Sequence, residues 1–151
     1  MHEYRATTTW KRTSSDFTYE TYNRAHDVTF ASGTKVPWSS APEFKGEADR
    51  VNPEEAFVAA LSTCHMLTFL ALCSKTKVEV VGYEDHAEAL LDTKDKVTFI
   101  TQVTLRPVIR VTRGTSAAKV VELLEKAHKY CFIANSVKFP VRHEPRVERS
   151  R

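Results

Sequence analysis

Three cysteines, Cys64, Cys73 and Cys131, are the residues of this chain best suited to chemistry. A thiolate is a nucleophile, a redox centre and a metal ligand, whereas a thiol is a small apolar side chain that packs well in a core. Which of these each cysteine is depends on its neighbours. Cys64 and Cys73 are nine residues apart in one apolar stretch. On a helix that spacing puts them on opposite faces, about 13–14 Å apart along the axis, so they cannot bridge within one chain. Cys73 therefore reads as core packing. Cys131 falls at the C-terminal end of a second helical stretch, where the helix dipole disfavours a thiolate. That makes it a poor first nucleophile, although it could still close a disulfide.

An unperturbed thiol has a pKa of about 8.5 and is only slightly ionised at neutral pH, so a reactive cysteine in mid-helix needs a cation beside it. Two arginines are candidates. Arg24 interrupts an aromatic and apolar region, Tyr22-Asn23-Arg24-Ala25-His26, and Arg50 stands just before the start of the helix that carries Cys64. His65 is the sequence neighbour of Cys64, but adjacent helical positions point about 100° apart. It reads as a satisfied structural group. Taken alone, these residues favour a core helix with a cysteine in it over a reactive Cys64.

The elements that must position these groups are legible from period and punctuation. Alternation at Tyr4, Ala6, Thr8 and Trp10, then Phe17, Tyr19 and Thr21, then Val28 and Phe30, predicts short antiparallel strands over residues 1–38. Two prolines, Gly46 and mixed charge mark a surface loop over 39–51. Asn52 is a good N-cap, Pro53 suits the first helical position and Glu55 takes the capping-box position, so a helix is expected over 52–74. Its residues are apolar nearly all round, so it must be wrapped by sheet, by another helix or by a second subunit.

Residues 78–111 read as a long hairpin turning at Asp92–Asp95. One face carries Val97, Phe99, Val103, Leu105, Ile109 and Val111, and Pro107 suggests an edge or a bulge. A second helix is expected over 116–131. Val120, Leu123, Leu124, Ala127 and Tyr130 form its apolar stripe, with Glu122–Lys126 and Glu125–Lys129 as charge pairs on the wet side. A last strand is expected over 137–143, followed by a frayed basic tail. This order is α+β, in a single domain over residues 1–151.

Composition narrows the function class. The chain has 151 residues, 42% apolar and 27% charged, with a net charge of +3 that comes partly from the segment after His143. Nucleic-acid binding is not expected from such a distribution. Nothing at the N-terminus resembles a secretory signal, and an odd number of cysteines without a Cys-x-x-Cys pair argues against a disulfide framework; a cytoplasmic location with free thiols is expected. The stretch from Ala56 to Cys73 is interrupted by Ser62, Thr63, His65 and Thr68, so a buried helix is expected rather than a membrane span.

Asn52-Pro53-Glu54-Glu55, the run Ala59-Ala60-Leu61-Ser62-Thr63-Cys64-His65-Met66-Leu67, and Ala127-His128-Lys129-Tyr130-Cys131 through Ser136 resemble the OsmC/Ohr family, the osmotically inducible and organic hydroperoxide resistance proteins. The resemblance extends from the Arg24 segment to the last strand. It implies a compact α+β fold in which two chains intertwine, with antiparallel sheets around the central helices and a thiol site at the subunit boundary.

By the same resemblance, Cys64 would be the peroxidatic thiolate, oxidised to a sulfenic acid by an organic hydroperoxide. Cys131 would resolve it as a disulfide. Arg24 would be the activating cation and Glu54 its carboxylate partner, a pairing that suits the fixed fork of a guanidinium. Glu55 and Arg50 stand as the neighbouring alternatives.

Ten residues separate Glu54 from Cys64, roughly 15 Å on a continuous helix, so either the helix breaks or the Arg24–Glu54 pair serves the thiol of another chain. The implied reductant is a thiol, commonly a dihydrolipoyl group on a protein; no metal or flavin cofactor is implied. In the hydroperoxide-resistance branch the first cysteine is usually followed by Phe and the second by Pro. Here His65 and Phe132 follow them, which marks a side branch of the OsmC-like type. Two further readings stand beside the peroxidase: a non-catalytic redox sensor or small-ligand-binding dimer, and zinc held by Cys64, His65 and Cys131, for which the spacing has no finger or ribbon pattern.

Overall fold

A computed structural model describes residues 1–150. The fold is α+β, with nine strands β1–β9, two α-helices and two single-turn 3-10 helices among the described residues. Where one domain is expected, the chain divides into two compact units, Met1–Phe57 and the remainder from Val58 onward.

The smaller unit is an antiparallel sheet of β1 (Ala6–Thr9), β2 (His26–Phe30) and β3 (Lys35–Trp38), with β2 in the middle. Gly33, at φ 85°, makes the turn between β2 and β3 in the left-handed region that glycine tolerates without a steric cost. The strand expected around Phe17–Thr21 is instead a turn, closed by bonds from Thr21 N–H and Tyr22 N–H to Thr18 C=O. Its aromatic residues pack on each other rather than across a sheet: Phe17 lies 5.4 Å from Tyr22 and 6.0 Å from Trp10, centroid to centroid. Residues 39–51 form a loop as expected, with a 3-10 turn at Pro42–Phe44.

Helix α1 runs from Pro53 to Lys75. Its start is the expected capping box: Asn52 Oδ1 accepts Glu55 N–H at 2.8 Å while Glu55 Oε2 accepts Asn52 N–H at 3.4 Å. Leu61, His65, Phe69 and Cys73, four residues apart, are the positions it buries. Ala59, Ala60, Thr63, Leu67 and Ala71 stay exposed. By length and composition the helix is apolar enough to cross a membrane, despite the polar residues that argued otherwise in the sequence. Its buried stripe is nonetheless packed against sheet and α2 (Ala117–Tyr130).

In the larger unit the expected long hairpin is present, but each arm breaks once. One arm is β4 (Val80–Asp85) then β5 (Glu88–Lys94); the other is β6 (Val97–Leu105) then β7 (Pro107–Val111). The ribbon thereby contributes to two three-stranded sheets, β4-β7-β9 and β5-β6-β8. Pro107 opens β7 opposite Asp85, the first-residue position where a missing N–H is tolerated.

Asp85 holds the bend. Its Oδ1 accepts Arg106 N–H at 2.7 Å and its Oδ2 accepts the Ser62 hydroxyl of α1 at 2.5 Å. At the tip, Asp95 and Lys96 both take positive φ, the two-residue turn that matches strand twist. Val97 and Phe99, expected on the covered face, are exposed, because no described residue covers the tip.

The last strand is shorter than expected, β8 (Val141–His143), since residues before it turn through the 3-10 helix Ala134–Ser136. The tail expected to fray instead forms β9 (Arg146–Arg149), which pairs parallel with β7. Arg110 Nε to Glu148 at 3.3 Å joins the two strands. On α2 the wet-side pair is Lys119–Glu122 at 2.9 Å rather than the four-residue pairs. Two buried clusters result. One gathers Phe69, Cys73, Ile109, Val111 and the stripe of α2; the other gathers Leu61, Val103, Leu105 and Cys131.

Candidate functional site

Cys64 and Cys131 meet in the second of these clusters. Cys131 is fully buried at the C-cap of α2, and Cys64, half-buried on α1, packs against it. Both are free thiols within hydrogen-bond reach of each other. Burial pushes the Cys131 thiol up to about 11, and the adjoining Cys64 adds to the rise, while N–H groups of Ala134 and Ile133 oppose it. Ala134 N–H points at Cys131 Sγ at 3.5 Å. Cys131 is therefore a thiol at neutral pH, as expected for a group that does not attack first.

Cys73 is core, as expected. It is 1% exposed among Phe69, Val111 and Val120, and burial pushes its thiol up to about 11.

Arg24 and Glu54 belong to the smaller unit. Arg24 is buried just before β2, in a loop that Asn23 holds: its side chain accepts Thr13 N–H at 2.8 Å and donates to Lys11 C=O at 3.0 Å. The guanidinium donates from Nη1 to Tyr22 C=O and from Nη2 to Tyr19 C=O, each at 2.5 Å. It also lies 3.7 Å from the centroid of the Tyr22 ring, a cation–π contact. Its Nε has no partner.

Within this chain Arg24 is not paired with Glu54, whose carboxylate carries no ion pair among the described residues. Glu55 is committed to the helix cap. Because α1 is continuous from Pro53 to Lys75, the helix break that would have brought Glu54 to Cys64 does not occur.

His65 has the structural role expected, but with a feature the sequence reading missed. It is fully buried, and its Nε2–H donates to Leu124 C=O of α2 at 3.2 Å. Its ring lies 4.5 Å from that of His143, which is 4.9 Å from that of His128. Burial lowers both His65 and His143, the latter to about 4. The four-residue stripe Leu61-His65-Phe69-Cys73 was available in the sequence as a signal that His65 is internal. Nothing local announces His143, which reaches the site through strand pairing of β8 with β6.

Of two aromatic residues near the cysteines in sequence, Phe69 is core and Phe132 is 80% exposed. Phe132 and Tyr130 help line an open trough of about 570 Å³ with Leu67, Ala71 and Leu72, where Lys75 and Lys126 are the charged residues.

Residues 46–146 match the family model described as OsmC-like protein. A solved OsmC-like protein of unknown function from Vibrio cholerae is 40% identical, covering 96% of this chain and 99% of that one, with a TM-score of 0.89. An organic hydroperoxide resistance protein from Elizabethkingia anophelis, 19% identical, shares the fold over 99% of this chain and 98% of its own, with a TM-score of 0.74. Among curated sequences, the uncharacterized protein YmaD of Bacillus subtilis is 24% identical over 119 residues, 76% of this chain and 79% of YmaD.

Proposed function

The chain belongs to the OsmC-like family, and from that premise we propose that it is a cysteine-based peroxidase that reduces organic hydroperoxides in the cytoplasm. The observation that carries this reading is the pair of free thiols, Cys64 and Cys131, within bonding reach of each other on two different elements.

The Cys64 thiolate attacks the peroxide oxygen, the O–O bond breaks, and the alcohol leaves with a proton. Cys64 is left as a sulfenic acid. Cys131 then displaces water to form the disulfide, and a dithiol reductant, of which a dihydrolipoyl protein is one example, returns two electrons and two protons. Burial, aided by Cys64, keeps Cys131 protonated in the resting state, and the closeness of Cys64 gives it a short path to the sulfenic acid.

The protein acts as a homodimer. The exposed apolar side of α1 around Leu67, and the uncovered hairpin tip with Val97 and Phe99, support this, since both are apolar surfaces left open by one chain. The dimer also answers the distance problem on α1: Arg24, assisted by Glu54, activates the thiol of the partner chain. The experiment is stopped-flow oxidation of the reduced protein by cumene hydroperoxide and by hydrogen peroxide, with mass spectrometry of the product. Fast reaction with the organic peroxide and a Cys64–Cys131 disulfide is expected; slow reaction with both would leave a redox sensor or ligand-binding dimer on the same fold.

A further inference from the structure

Three histidines meet where the two buried clusters of the larger unit adjoin. On α1, His65 lies between Leu61 of one cluster and Phe69 of the other. On α2, His128 follows Ala127 of the first cluster and precedes Cys131 of the second. The third, His143, ends β8, whose Val141 packs in the second cluster. Three buried ring nitrogens, His65 Nδ1, His128 Nδ1 and His143 Nε2, have no partner.

Each such atom costs about 1–3 kcal/mol, so a core built for stability alone would place apolar side chains here. A metal does not account for the cluster. No three His, Cys, Asp or Glu among the described residues are placed to hold an ion.

The cluster stands beside the thiols. His65 follows Cys64 directly, and the carbonyl of His128 accepts the backbone N–H of Cys131 at 3.4 Å. The His65 Nε2–H bond to Leu124 C=O ties α1 to α2, the two helices whose Cys64 and C-cap Cys131 pack in one cluster. Four elements contribute titratable groups here: His65 from α1, His128 from α2, His143 from β8, and Asp85 from β4, which favours a proton on His65 while His128 opposes it.

We propose that His65 is the residue that positions the thiol pair, its bond to Leu124 C=O holding α2, and with it Cys131, against Cys64. This rests on reading Cys64 and Cys131 as a redox pair. The effective concentration of one thiol at the other sets how readily the disulfide forms, so the tie favours the oxidised state.

The test is the equilibrium of the full-length protein with reduced and oxidised dithiothreitol, approached from both sides at pH 7.5. Two protein thiols lose two electrons and two protons to the cyclic disulfide, which becomes the dithiol. His65→Leu removes the donor yet suits an apolar stripe. It is expected to lower the equilibrium constant for disulfide formation by about tenfold at pH 7.5, or about 30 mV.

His65→Gln keeps a donor and is expected to restore the constant. Circular dichroism establishes that each variant is folded. A folded His65→Leu protein with the wild-type constant would overturn the positioning role. Because no peroxide is used, failure of the peroxidase reading leaves this result legible, and the reverse holds.

Discussion

The buried Cys131 thiol at the end of α2 lies within hydrogen-bond reach of Cys64 in the middle of α1, and the two sulfurs are free. Sixty-seven residues separate them in the chain. Cys64→Ser is expected to abolish consumption of cumene hydroperoxide. Cys131→Ser is expected to allow one turnover and leave Cys64 as a sulfenic or more oxidised acid, read by mass spectrometry. Continued multiple turnover by Cys131→Ser would remove Cys131 from the cycle.

Arg24 is held by two backbone carbonyls and two tyrosine faces. Replacing it by Ala leaves those carbonyls without a charged donor, a cost of about 2 kcal/mol in denaturant unfolding. If it also activates the thiol, the first oxidation step slows by about tenfold or more, the size of one charge-assisted interaction. Unchanged kinetics in Arg24→Ala with a loss in Arg50→Ala would move the role to Arg50.

Asp85 joins α1 to the bend in the ribbon through Ser62 and the Arg106 N–H. Asp85→Ala removes both acceptors and leaves the Arg106 N–H and the Ser62 hydroxyl without them. A loss of about 1–2 kcal/mol in urea unfolding is expected. No loss would mean that water replaces the missing partner.

Stability should depend on pH through the histidines. The folded-state values of His65 and His143 are depressed, chiefly by burial, so the unfolded chain takes up protons that the folded one refuses. Stability is then fully present above the ordinary histidine value of about 6.5 and falls as pH drops below it. With His143 lowered to about 4, that group alone removes on the order of 3 kcal/mol by pH 4. His143→Phe should flatten this part of the profile in guanidinium titrations at pH 7, 6 and 5; an unchanged slope would mean that His143 is not neutral in the folded state.

Leu67 is 58% exposed on an otherwise apolar side of α1. Leu67→Glu puts a charge on that side and should weaken self-association by roughly a hundredfold or more, seen as monomer in light scattering. A wild-type chain that is a stable monomer would refute the dimer altogether.

Local signals carried much of the fold. Asn52, Pro53 and Glu55 marked the start of α1 because a cap is made by three or four neighbouring residues, and the stripe of α2 showed in its period for the same reason. The ribbon between residues 78 and 111 also read correctly as alternating strand. Its break at Arg106 did not, because what divides the ribbon between two sheets is Asp85, reached across the pairing of β4 with β7.

The tail was misread for a related cause. Arg146, Glu148 and Arg149 look like solvated chain, and only the partner strand β7 makes them a strand. At Tyr19 the period-two aromatics predict a strand, whereas packing of Trp10, Phe17 and Tyr22 favours a turn.

By itself the sequence determined the α+β class, the two helices, and the thiols worth attention, since composition, period and capping are properties of neighbours along the chain. Tertiary structure alone decided that Cys64 touches Cys131, that Arg24 is gripped by Tyr19 and Tyr22, and that His65, His128 and His143 form one cluster. Those facts depend on which distant segments pack together, and burial, which sets the reactivity of a thiol and the protonation of an imidazole, exists only once they do.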